Sequence, residues 1–178
     1  MNVAAQLPRI TKASIVLGIA SLVRFAPEIV LIIPRRPDGK YAALLTLDLL
    51  IAGLWLRCGF TLRRQDPNAL TFASIAGAII WAHSISSGYF IGVKLVQGWI
   101  EMRQMSDILA FSAFAGSRLL IYSIEFLFWP YALFVTTNLA ANPESGSVPA
   151  RSLGLPTVGA FIIALLLQSI FFKALNLR

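Results

Sequence analysis

The sequence predicts an all-α membrane protein, a bundle of about five transmembrane helices forming one integral membrane domain. Three observations carry that expectation. The 178-residue chain is 57% hydrophobic and only 13% charged, where soluble domains are about a quarter charged. A chain this short has too much surface for its volume to hide so many apolar side chains from water. Its apolar residues also collect into runs close to or above the ~20 residues that cross a bilayer, with short polar turns between them.

The first run, 13–33, follows a polar lead carrying Pro8, Arg9 and Lys12. It resembles the start of a signal peptide, but Arg24 interrupts it, apolar character resumes at Ile29, and no small-residue cleavage site follows. It therefore reads as a membrane helix. Ser14, Ser21, Arg24 and Glu28 share one face, and Arg24 and Glu28 have the i,i+4 spacing of a local ion pair. Pro27 removes a backbone donor and predicts a kink. The alternative is four spans, with this segment re-entrant or interfacial.

The second run, 41–60, follows a Pro-Arg-Arg-Pro-Asp-Gly-Lys turn. Asp48 lies in its first half, on the face shared by Ala52, Trp55 and Gly59. Trp55 and Arg57, near its end, read as interface anchors. The third run, 69–99, carries two stripes. Gly77, Ser84, Gly88 and Gly92 form a small-residue face that lets another helix approach closely. About 100° away lie His83, Ser87, Phe90, Lys94 and Gln97. This is the profile of a central helix.

The fourth run, 107–136, has Ser106 as a suitable N-cap and continues past Pro130. Arg118, Tyr122, Glu125 and Trp129 fall on one of its faces. A charge at the bilayer centre costs about 2.5–3.5 kcal/mol on insertion scales, so that face must look at protein or water. The fifth run, 155–175, contains only Gln168 and Ser169 as polar interruptions, and reads as the outer, lipid-facing helix. The stretch 138–153 before it is the longest loop.

A formal charge of +7 and a pI near 10.2 would point to nucleic acid in a soluble protein. Here the basic residues sit in short loops between apolar runs, so the expected partners are anionic lipid headgroups and not nucleic acid. They divide almost evenly between the two sides, which leaves orientation open.

Arg24, Glu28, Asp48, Arg118, Tyr122 and Glu125 form the candidate intramembrane charge network. Two positive against three negative groups leave one negative charge over. Protonation of a carboxyl, or compensation by His83 or Lys94, would balance it. Such groups gather on proton relays and ion routes; they also pair simply to fix helix packing. His83, with Ser84 and Ser87, is the candidate proton or cofactor site, through proton relay, a quinone, or axial ligation of haem or chlorin. The other reading is a neutral histidine hydrogen-bonded to a neighbouring helix.

Cys58 is the single cysteine and His83 the single histidine. The chain thus holds no internal disulfide, Cys-rich metal site, bis-histidine haem or HExxH zinc site. No nucleophile stands at a recognisable spacing from a base, and no catalytic residue is nominated. The first functional reading is a non-catalytic integral subunit or scaffold, packing against other membrane subunits or itself through polar and small-residue faces. The second is a small channel or transporter, ion- or proton-linked, along the charged pathway. The third is a cofactor-binding subunit using His83.

Overall fold

Five helices make up the fold: α1 (Leu7–Ile32), α2 (Gly39–Arg64), α3 (Ala69–Glu101), α4 (Met105–Ala140) and α5 (Ala150–Asn176). The computed structural model describes residues 6–32, 39–64, 68–101, 105–140 and 150–176, without the side chains of 24–32, 40–41, 98, 101, 105–107, 109–111, 113–114, 140, 150–153 and 175–176. The architecture is an all-α membrane bundle. Among the described residues, four stretches are long and apolar enough to cross a membrane: Ala42–Arg64, Ala69–Gln97, Ala115–Leu139 and Gly154–Ala174. They belong to α2 through α5.

The helices extend beyond the apolar runs that announce them. A hydrophobic core needs about 20 residues to cross, and the polar turns on either side remain helical at headgroup level. Thus α1 begins at Leu7, with Pro8 in the first turn, where a missing N–H costs nothing. Helix α2 continues past Phe60 to Arg64, and Arg63 and Arg64 in its last turn complement the helix dipole. Helix α4 runs through Pro130, and α5 starts ahead of Pro156. Asn68 leads into α3, its carbonyl accepting from Phe72 N at 2.9 Å. Residues 33–38, 65–67, 102–104 and 141–149, where turns are expected, lie outside the described residues. The ends of the loop expected at 138–153 are helical, closing α4 and opening α5. The expected Ser106 cap is corrected, because α4 already begins at Met105 and Ser106 lies within its first turn.

Helix α3 occupies the centre, packed on α2, α4 and α5, while α1 lies against α2. Its contact with α4 is the most extensive, and small residues explain why. A Cβ at Gly77 would overlap the Trp129 indole, and one at Gly88 would sit 3.7 Å from the Tyr122 Cβ. At Gly92 the face opens, with nothing within 4 Å. Glycine also sets the α1–α2 approach, where Gly18 meets Leu56 and Gly59 meets Ile15.

On α5, Phe161 packs on Trp81 at 4.9 Å and Phe172 on Phe90 at 4.8 Å. Its other side exposes Leu155, Ile162, Ile163, Leu166, Leu167 and Ile170, an apolar face suited to lipid. Helices α2 and α4 run in the same direction and stay apart at the backbone, meeting through long side chains. Ile51, Trp55, Ile80, Trp129, Ala132 and Val135 fill the core between them.

Candidate functional site

Seven residues, two helical turns, separate Asp48 from Trp55 on α2 and Arg118 from Glu125 on α4. Parallel helices in register therefore present two polar levels to each other, about 10.5 Å apart. The first level is built on Asp48. Its Oδ1 accepts from Tyr122 Oη at 3.0 Å and stands 3.0 Å from His83 Nε2, while Oδ2 faces Arg118 Nη1 at 3.3 Å. Three helices thus converge on one carboxylate. Asp48, His83, Arg118 and Glu125 are 5%, 1%, 2% and 2% exposed.

The hydrogen bonds fix the roles. An ionised carboxylate only accepts, so His83 Nε2 carries the hydrogen directed at Asp48. Ser87 Oγ lies 3.2 Å from Nδ1 and 3.3 Å from Nε2. With Nε2 already committed, Nδ1 is the nitrogen that takes the Ser87 hydroxyl proton. A proton added at Nδ1 would turn Ser87 from donor to acceptor with no movement of the ring. The Tyr122 ring meets the imidazole edge-on at 5.6 Å, closing the site on the α4 side.

The second level joins Trp55 Nε1 to Glu125 Oε1 at 2.9 Å. Trp55 packs at 4.7 Å on Trp129, their rings tilted by 41°, and Trp129 fills the notch left by Gly77. This corrects the reading of Trp55 as an interface anchor: α2 continues to Arg64, so Trp55 stands mid-helix and fully buried. Trp99, by contrast, is exposed near the end of α3, donating to Ser112 Oγ at 2.7 Å.

Of the other residues singled out from sequence, Ser84 bonds its own helix at the Trp81 carbonyl, 2.9 Å away. Lys94 is exposed and stands off from the centre. The side chains of Arg24 and Glu28 lie outside the described residues. Sequence reasoning treated His83 and the charge network as separate candidates; the structure joins them at Asp48. The available signal was the shared face of His83, Ser87 and Phe90 on a central helix.

A cavity of about 10 Å3 remains beside Leu47, Asp48, His83, Ser87, Arg118 and Tyr122, the scale of one water molecule. Pockets for organic ligands measure roughly 300–1,000 Å3. Both imidazole nitrogens are engaged, so neither a haem, a chlorin nor a quinone ring fits against His83 in this arrangement. Among the described residues no three His, Cys, Asp or Glu side chains gather as metal ligands. No family model, curated protein sequence or solved structure matches the chain, and the site is read from its own chemistry.

Proposed function

We propose that the protein is a small proton-linked membrane carrier whose coupling site is the Asp48–His83–Arg118 centre. One observation carries the reading. A carboxylate buried within an apolar span bonds at once to the chain's single imidazole and to a guanidinium, each from a different helix. Ionisable groups at membrane depth are expensive and belong by default to ion and proton pathways. His83 stands at the midpoint of the Ala69–Gln97 span, and imidazole is the side-chain type suited to exchanging protons near neutrality. The described buried set contains two carboxyls, one guanidinium and one imidazole. One bound proton makes it electroneutral, the state that low-dielectric burial favours.

The subunit reading drew its support from polar helix faces that need cover. The α2, α3 and α4 faces cover one another within the chain, which lowers its weight. The test is proton flux into liposomes loaded with a pH-sensitive dye, under an imposed potential. Wild-type protein is expected to move protons, and Asp48→Asn and His83→Gln to lose flux while keeping wild-type elution and helicity. Wild-type protein that moves no protons and purifies with other membrane chains would replace this proposal with the subunit reading.

A further inference from the structure

Helices α1 and α2 meet closely where glycine allows it and leave a groove at one end. Gly18 lies against Leu56, and a Cβ at Gly59 would stand 3.1 Å from Ile15 N and 3.3 Å from the Thr11 carbonyl. The pairing is therefore antiparallel, which sets the start of α1 beside the end of α2. There a groove of about 460 Å3 opens, lined among others by Leu7, Ile15 and Leu62, with Lys12 and Arg63. Its size falls within the range of organic-ligand pockets, roughly 300–1,000 Å3.

The inside of the groove offers little to a small hydrated anion. Leu62 is buried, and the Thr11 hydroxyl gives its hydrogen to the Leu7 carbonyl at 2.8 Å. The charged donors are Lys12 and Arg63, one from each helix and both exposed. Among the described side chains the carboxyl groups are those of Asp48 and Glu125, both buried and bonded within the core. Neither groove cation has an acidic partner among the described residues. The amino end of α1 and the carboxyl end of α2 lie side by side, so their dipoles offset and the two side chains set the sign.

Depth gives the second half of the argument. Arg63 lies one residue from the end of the apolar stretch Ala42–Arg64, which places the two cations at headgroup level. Val16, Ile19 and Val23 follow Lys12 at steps of four, three and four residues, on one helical face. All three are exposed. An apolar stripe thus leads from the cations toward the bilayer interior.

We propose that the α1–α2 groove is a discrete site for one anionic glycerophospholipid, its phosphate between Lys12 and Arg63 and an acyl chain along Ile15, Val16 and Ile19. The paired cations select the sign of the headgroup. The apolar lining selects a lipid over free phosphate. The site stands apart from the Asp48 centre and does not depend on proton coupling. A lipid seated there joins α1 to α2 beyond the last glycine contact.

The test is native mass analysis of the full-length protein from a neutral detergent, titrated with phosphatidylglycerol and with phosphatidylcholine of the same acyl chains. One saturable phosphatidylglycerol is expected, bound about 25-fold more tightly than phosphatidylcholine, at about fivefold for each cation. Lys12→Gln and Arg63→Gln should each weaken phosphatidylglycerol about fivefold and leave phosphatidylcholine unchanged. Both side chains are exposed, so their replacement spares the core. Arg64 is the control, since it is exposed beside Arg63 but does not line the groove. Arg64→Gln should leave the affinity close to wild type, and inorganic phosphate should not displace the lipid. Equal binding of the two lipids would overturn the proposal. So would an Arg64→Gln loss as large as that of Arg63→Gln, which would assign the attraction to the whole basic end. Displacement by inorganic phosphate would reduce the groove to a simple anion site.

Discussion

Trp55 donates its indole N–H to Glu125 at 2.9 Å across the gap between α2 and α4, with both side chains enclosed. The bond keeps two parallel helices in register without backbone contact. It also supplies a buried carboxyl with a donor that adds no charge.

Loss of that donor is expected to cost about 1.5–3 kcal/mol, the range for hydrogen bonds to charged groups. Trp55→Phe keeps an aromatic ring against Trp129 and removes the N–H. Thermal unfolding in detergent of Trp55→Phe, Glu125→Leu and the double variant gives the coupling between the two positions. Single effects that add within about 0.5 kcal/mol would show the pair to be independent.

Arg118→Met should be among the most damaging single changes, at about 3–5 kcal/mol, because it leaves Asp48 buried without its guanidinium. Adding Asp48→Asn should recover part of that loss. Equilibrium unfolding of the two singles and the double decides it, and a double variant less stable than Arg118→Met would rule out the pairing as the cause.

Gly77→Val should destabilise by about 1–3 kcal/mol through overpacking, since its new atoms meet the Trp129 indole. Trp129→Leu in the same chain should relieve it. Gly92→Ala, with open space around it, should stay within about 0.5 kcal/mol of wild type. Comparable losses at both glycines would mean that the small-residue face acts along its whole length.

Cys58 is fully buried, which makes the single thiol a built-in reporter of opening. A maleimide should label it only as fast as the bundle unfolds, and labelling should accelerate in Arg118→Met in step with lost stability. Rapid labelling of folded wild-type protein would show that α2 is exposed on the face assigned here to the core.

Much of this fold was legible because lipid imposes simple rules. Apolar length announced the helices, and the cost of a buried charge turned the faces of Asp48, Arg118 and Glu125 inward. Small residues at Gly77 and Gly88 marked the side of α3 where α4 packs. What periodicity leaves open is register between helices. Nothing in the local sequence links Asp48 to His83 and Tyr122, because that meeting depends on how far α2 and α4 slide along α3. The fate of Trp55 was misread for a related reason: hydropathy ends α2 near Phe60, whereas the helix continues through its arginines to Arg64.

The contrast between α3 and α4 has a thermodynamic consequence. Where the two helices touch, α3 offers Gly77, Gly88 and Ser74, residues with little or no rotamer freedom to lose. Helix α4 meets the two glycines with Trp129 and Tyr122, which lose far more when held in one arrangement. Ordering entropy at these glycine contacts is therefore borne by α4. Heat should loosen the α4 side chains first, and the Asp48 centre with them, while the backbone of α3 keeps its place.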